Sequence, residues 1–196
     1  MPPEGASGGR HVVRIIGGEW RGRKIRFPPV DGIRPTPDRV RETLFNWLQS
    51  ATAGSRCLDL YAGSGALGLE ALSRGAREVV FVDLDAAVTR HLQERLREFG
   101  CDRGQVVRMP AERYLEQPAV PFDVVFLDPP YASGLAGESF RRIVEAGWIA
   151  PDGCAYLETA ASAGPPVLPP GWTLFRSKRA GEVGYHLARR TPAGEP

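Results

Sequence analysis

Cysteine and histidine are scarce in this 196-residue chain, with three of each. Cys57, Cys101 and Cys154 lie far apart and form no CxxC pair, which argues against a disulfide framework and against a structural zinc site. Cys57 and Cys154 fall in apolar runs and read as buried core residues. His11, His91 and His186 are scattered, so no metal site is expected. Long hydrophobic runs are missing too, which excludes a bilayer-spanning helix. Residues 1–9, rich in Pro, Gly and Ser, have no apolar segment and do not read as a signal peptide. A cytoplasmic protein with no membrane partner is therefore expected. A charge excess is absent as well: 25 Lys and Arg against 23 Asp and Glu leave +2, so composition alone does not announce a nucleic-acid binder. What is present is 42% hydrophobic and 24% charged residues, enough for one good core in one domain with an appendage. A monomer is the default for such a chain.

Residues 1–10 read as a disordered tail, 11–34 as a basic β-hairpin extension, 35–190 as the main domain and 191–196 as a second tail. In the extension, two β-like runs flank Gly17-Gly18, a hairpin signal, and Lys24-Ile25-Arg26-Phe27 alternates a cationic with an apolar face. A helix follows, with Thr36 as N-cap, Pro37 at the first helical position and Asp38 in the first turn. Val40, Leu44, Trp47 and Leu48 form its apolar stripe. Beyond it, strands are expected at 56–61, 78–83, 105–109, 122–128 and 154–158, and helices at 66–74, 86–99 and 136–147. Apolar strands alternating with amphipathic helices imply an α/β fold with a parallel sheet covered on both faces. Residues 172–178 and 183–189 form an antiparallel hairpin that closes the sheet.

The run Cys57-Leu58-Asp59-Leu60-Tyr61 leads into Ala62-Gly63-Ser64-Gly65-Ala66-Leu67-Gly68 and then a helix, which places GxGxxG between strand and helix. Asp83 ends the next strand, at the spacing of a carboxylate that holds a ribose hydroxyl pair. A dinucleotide would set its pyrophosphate on the helix N-terminus. S-adenosylmethionine has no phosphate, and its cationic methionine end suits an anion. Asp59 faces the loop, is poor company for a pyrophosphate, and favours S-adenosylmethionine. The bland alternative makes the loop a plain turn and Asp59 a capping residue. Asp85 reads as the N-cap of the next helix. After the 105–109 strand, Glu112 or the Ala111 backbone can meet the adenine amino group, and Glu112 reads equally well as a solvated first-turn residue.

The most specific signal is Asp128-Pro129-Pro130-Tyr131 at the end of an apolar strand. It resembles the (D/N)PP(Y/F/W) motif of methyltransferases that act on amino groups of nucleic acids and glutamine side chains. An exocyclic base amine is a poor nucleophile because its lone pair is delocalised into the ring. Methylation needs the nitrogen in line with the methyl group, and acceptors for the amine protons push electron density onto it. The Asp128 carboxylate and the Pro129 carbonyl can be those acceptors, held by two prolines, and Tyr131 offers a flat face to an extruded base. For nucleic-acid contact, Arg14, Arg21, Arg23, Lys24 and Arg26 cluster around Trp20, with Arg39 and Arg41 as an extension and Pro130 beside Tyr131 at the target base. The charge run reads alternatively as a solvated hairpin face. Arg34 is ambiguous, and Lys178 and Arg179 in the last hairpin are weaker candidates.

Taken together, 14–24 and 34–46, the 58–75 segment, Asp128-Pro129-Pro130-Tyr131 and the late Ala180-Gly181-Glu182-Val183-Gly184-Tyr185 resemble the bacterial 16S ribosomal RNA guanine-N2 methyltransferases. The resemblance spans nearly the whole chain after residue 10. It implies a Rossmann-like class I methyltransferase with a seven-stranded, mostly parallel sheet whose last strand is antiparallel. It also implies N2-methylguanine formation in 16S ribosomal RNA, on a 30S particle or an assembly intermediate. Pro110 stands where the family often has a polar or acidic residue, and Asp83 where it often has Glu. Competing readings are a DNA adenine-N6 or cytosine-N4 methyltransferase, disfavoured by the lack of a separate target-recognition domain, a nicotinamide-dependent oxidoreductase, which leaves DPPY unexplained, and a non-catalytic RNA-binding protein.

Overall fold

The computed structural model describes residues 11–30, 35–130 and 135–191. The sequence-based expectations for residues 1–10, Arg34, Tyr131 and 192–196 lie outside the described residues. In chain order the elements are β1 (Val12–Arg14), β2 (Lys24–Arg26), α1 (Asp38–Trp47), β3 (Arg56–Asp59), α2 (Ala66–Ser73), β4 (Glu78–Asp83) and α3 (Ala86–Glu98). They continue with β5 (Gly104–Arg108), α4 (Ala111–Leu115), β6 (Phe122–Leu127), α5 (Leu135–Glu145), β7 (Ile149–Ala160), β8 (Trp172–Ala180) and β9 (Val183–Arg190).

The main sheet has seven strands in the order β5-β4-β3-β6-β7-β9-β8. β5, β4, β3, β6 and β7 pair in parallel, and β9 runs antiparallel to both β7 and β8. The mostly parallel sheet with an antiparallel last strand is therefore the one the sequence predicts. Successive strand residues face opposite sides. Cys57, Val79 and Phe81 join the core beneath α1, α2 and α3, while Leu58, Val80 and Val82 join the core beneath α4 and α5. Strand order reverses between β3, which leads outward to β4 and β5, and β6, which leads the other way to β7. Open α/β sheets bind ligands at that switch point, beyond the carboxyl ends of the strands.

The short β1 and β2 pair antiparallel as a separate sheet, with Val13 opposite Ile25. Gly17-Gly18 is not their turn, as the sequence suggested. The connection runs from Ile15 to Arg23, and Gly18 lies against the end of α2, where a Cβ would sit 1.8 Å from the Ser73 carbonyl. This segment is fastened to α2 by Glu70, whose carboxylate accepts from the backbone N–H of Ile16 at 2.9 Å and of Gly17 at 2.8 Å. Ser73 accepts from the Trp20 N–H at 2.9 Å and donates to the Gly17 carbonyl at 2.6 Å.

Arg41 completes this junction. Its side chain is 0% exposed, pairs with Glu70 and Asp38, and donates to the carbonyls of Thr36 and Arg14. Desolvation pulls its guanidinium below its ordinary pKa, and Asp38 and Glu70 push back. The sequence reading that placed Arg41 in a phosphate-binding patch is corrected here: a fully buried, fully engaged guanidinium cannot reach a phosphate. α1 also starts differently. Pro37 is its cap residue, and the Thr36 hydroxyl makes no cap bond but turns into the sheet end.

Candidate active site

At the carboxyl ends of β3, β4 and β6 lies a cavity of about 910 Å³. Its floor and one side come from the strand-to-helix loop after β3. Gly68, in the first turn of α2, lets the helix lie against β4, since a Cβ there would sit 2.2 Å from the Phe81 ring. Tyr61, Ala62, Gly63 and Ser64 line the cavity. Gly65 does not: it caps α2 beneath the wall, packed toward Leu92 and Leu69. The Tyr61 hydroxyl is engaged by Ser139 at 2.7 Å, so Tyr61 presents its ring rather than a polar tip.

Five carboxylate residues line this space, and Asp59, Asp83 and Asp128 stand at or just past the ends of its strands. Asp59, 1% exposed, accepts from the Gly68 N–H at 3.0 Å, and desolvation pushes its pKa up to about 8. Asp83 accepts from the Gly63 N–H at 2.9 Å and the Asp85 N–H at 2.8 Å, and burial raises its pKa. Asp85 itself caps α3 through the N–H groups of Ala87 and Val88, as the sequence suggested. Asp128, just past β6, completes the set, and burial followed by the nearby charge of Glu158 raises its pKa well above the ordinary range. Beside Asp83 the wall turns apolar, with Leu84, Met109, Pro110 and Ala111, and Glu112 stands exposed at its margin.

Pro129 and Pro130 form part of this cavity and also of a second one of about 630 Å³, bounded by α5, the end of β7 and the proline-rich 163–170 loop. Pro129 and Pro130 thus border both chambers, while Asp128 lines the first. Sequence reasoning missed Thr36, which lines the first chamber, and Glu158, which lines the second. Glu158 was legible in principle: Leu127 of β6 pairs with Leu157 of β7, so the next residues along, Asp128 and Glu158, are level neighbours.

The basic residues lie outside both chambers. Arg21, Arg23, Lys24, Arg26 and Arg39 are exposed, and Arg14 pairs loosely with Asp38 at 3.6 Å. Among the described residues Arg21, Lys24, Arg26 and Arg39 have no ion pair, and Arg23 rests over the Phe99 ring at 5.0 Å. Lys178 lies 6.0 Å over the Trp47 ring, on the far hairpin. The expectation that Trp20 stacks on a base is corrected: its ring is 3% exposed and packs on Phe99 with centroids 4.7 Å apart, so it anchors the loop and has no face to offer.

Comparison with known proteins agrees with this geometry. The family described as Conserved hypothetical protein 95 matches residues 13–189. The ribosomal RNA small subunit methyltransferase D of Escherichia coli (strain K12) is 44% identical over 187 residues, covering 95% of this chain and 94% of that protein. The protein of the same name from Haemophilus influenzae is 44% identical over 179 residues, covering 89% and 92%. The solved structure of the Escherichia coli yhhF protein superposes with a TM-score of 0.86 at 43% identity, over 91% of this chain and 98% of that one. The fold is that of the class I methyltransferases, and the chain belongs to the Conserved hypothetical protein 95 family, in company with the ribosomal RNA small subunit methyltransferase D proteins.

Proposed function

We propose that this protein transfers a methyl group from S-adenosylmethionine to the exocyclic N2 of a guanine in 16S ribosomal RNA, within a 30S particle or an assembly intermediate. Its relatives are methyltransferases of small-subunit ribosomal RNA, which supports the enzyme class and the RNA. The observation that carries the reading is the Asp128-Pro129-Pro130 segment, whose carboxyl lines the carboxylate-rich chamber and whose prolines border both that chamber and the one by the proline-rich loop.

The residues of the larger chamber fit the cofactor. Asp59 is a buried carboxyl with one backbone donor and a raised pKa, and a cation set beside it would favour its ionised form. Asp83 uses its two oxygens on backbone N–H groups, yet each keeps lone pairs for ribose hydroxyls. The apolar wall of Leu84, Met109 and Ala111 suits a purine ring. Pro110 has no polar side chain, so the adenine amino group falls to Glu112 and the Ala111 backbone. When bound, S-adenosylmethionine supplies a sulfonium methyl group as electrophile.

The target amine meets the Asp128 carboxyl, which faces the cofactor chamber, and the Pro129 carbonyl beside it. Accepting its protons raises the electron density on nitrogen and fixes its approach line. The two prolines keep the carbonyl direction constant. Tyr131 follows them in sequence, and its face suits a base turned out of its stack. Arg14, Arg21, Arg23, Lys24 and Arg39 supply contacts to phosphates.

The reading is tested by methyl transfer from labelled S-adenosylmethionine to purified 30S particles, free 16S RNA and duplex DNA, with nucleoside analysis of the product. N2-methylguanine in ribosomal RNA is expected. Label in DNA alone, or on another nucleoside, refutes it. Asp128→Ala is expected to bind cofactor and transfer nothing, and undiminished turnover would remove Asp128 from the mechanism.

A further inference from the structure

Two polar side chains beside Asp128 have no part in the mechanism above. Thr36, ahead of α1, and Glu158, on β7, are 4% and 1% exposed. The Thr36 hydroxyl lies 2.7 Å from Oε1 of Glu158 and 3.3 Å from Oδ2 of Asp128. The Tyr156 hydroxyl donates to the same Glu158 oxygen at 2.8 Å. The Thr36 hydroxyl therefore stands between the carboxyl groups of Asp128 and Glu158. A hydroxyl has one proton, so Thr36 gives it chiefly to the nearer Glu158 and makes a weaker arm to Asp128. Three segments distant in sequence thus converge on one carboxyl.

We propose that Glu158 and Thr36 are positioning residues, which hold the Asp128 carboxyl in one orientation as it meets the target amine. This rests on the reading of Asp128 as the group that receives the amine. Without the clamp, a carboxyl past a strand end turns about its Cβ–Cγ bond and presents its oxygens in many directions. With it, one Asp128 oxygen is engaged by the Thr36 hydroxyl, which Glu158 in turn holds in place. The groups that act on Asp128 support this. Burial raises its pKa most, the charges of Glu158 on β7 and Asp59 on β3 raise it further, and the hydrogen bond from Thr36 lowers it.

The test begins on the protein alone, with carboxyl-labelled aspartate followed by NMR across pH and the Asp128 signal identified with Asp128→Asn. Glu158→Gln removes a neighbouring charge and keeps the shape, so the Asp128 midpoint is expected to fall by a unit or more. Thr36→Val removes the hydroxyl and should raise it, and Thr36→Ser should restore it. In single-turnover transfer, Thr36→Val is expected to slow the reaction at least ~10-fold, as misplacement of a reacting group does. The cofactor KM should hold within two-fold, with recovery in Thr36→Ser. Glu158→Gln should move the acid limb of the rate profile to lower pH. A midpoint that stays put in both variants, or rates and profile unchanged beside an active wild type, overturns the proposal. Absence of transfer by the wild type on every RNA counts instead against the reading of Asp128 as the amine's partner, while the midpoints still decide whether the clamp exists.

Discussion

A carboxyl such as Asp59 ties stability to binding. Its pKa in the folded chain is raised from the ordinary value to about 8, so the folded state holds the proton more tightly than the unfolded one. Stability from this group is complete below about pH 4 and is lost as pH climbs toward 8. Asp59→Asn carries no charge to bury and can still accept from the Gly68 N–H. It is expected to melt with the wild type near pH 4 and several degrees above it at pH 8.5, at roughly 2–4 °C per kcal/mol for a chain this size. Calorimetry at the two pH values decides, and a constant difference would place the effect elsewhere. The same variant should bind cofactor more weakly, since the anion is gone.

Single residues are also where sequence reading succeeded and failed most clearly. Asp59, Asp83 and Asp128 were legible because each ends a strand of an α/β repeat, and strand ends converge at the switch point. Arg41 and Trp20 were misread because a charge run or a lone aromatic does not reveal which way it faces. Arg41 had a signal: Leu44, Phe45 and Leu48 lie three, four and seven residues further on, which puts it on the buried face of α1. Thr36 had none. Before a Pro and a helix, a threonine reads as a cap, and its contact with Glu158 is 122 residues away.

Among the elements, α2 organises its surroundings. Every residue from Ala66 to Ser73 is buried, including the charged Glu70. A lone carboxylate in an apolar helix must have partners, and Glu70 binds two backbone N–H groups, Arg41 and Arg74. Glu70→Ala strands the buried Arg41 guanidinium, which typically costs about 3–5 kcal/mol. The expected result is a melting temperature lowered by roughly 6–20 °C, at 2–4 °C per kcal/mol. A loss of a degree or two would mean that the junction relaxes without harm. Gly68→Ala attacks the other face of the same helix. The Phe81 ring must move or α2 must lift, a strain of about 1–3 kcal/mol. Since the loop 62–65 moves with the helix, cofactor affinity should fall along with stability. Calorimetric titration with S-adenosylhomocysteine reads this directly, and unchanged affinity would mean that Phe81 absorbs the strain alone. The central strands and long helices were legible from their periodicity to within a few residues. The start of β7 was not, because Ala150, Pro151, Asp152 and Gly153 read as loop, although the strand runs from Ile149. The five-residue α4 is too short for periodicity to show.

Across the whole molecule the charge is nearly balanced, yet unevenly placed. Arg21, Arg23, Lys24 and Arg26 stand exposed on the N-terminal segment, which packs on the same face of the sheet as α1 and α2. If they meet phosphates, Arg21→Ala with Arg23→Ala should reduce the slope of log affinity against log salt by about 2, since each contact contributes roughly one unit. Binding of 16S RNA at several salt concentrations measures it. An unaltered slope would return these cations to the solvent.

The junctions at Glu70 and Thr36 impose an order on the newborn chain. The N-terminal segment leaves the ribosome first, but the carboxylate that fastens Ile16 is made 54 residues later. At about 5–20 residues per second this is a wait of about 3–11 s. Thr36 waits longer, because Glu158 is synthesised 122 residues after it, about 6–24 s at the same pace. The corner around Thr36 and Asp128 is therefore completed only once β7 is made, with just β8 and β9 still to come, and a chain cut short before β7 never acquires it.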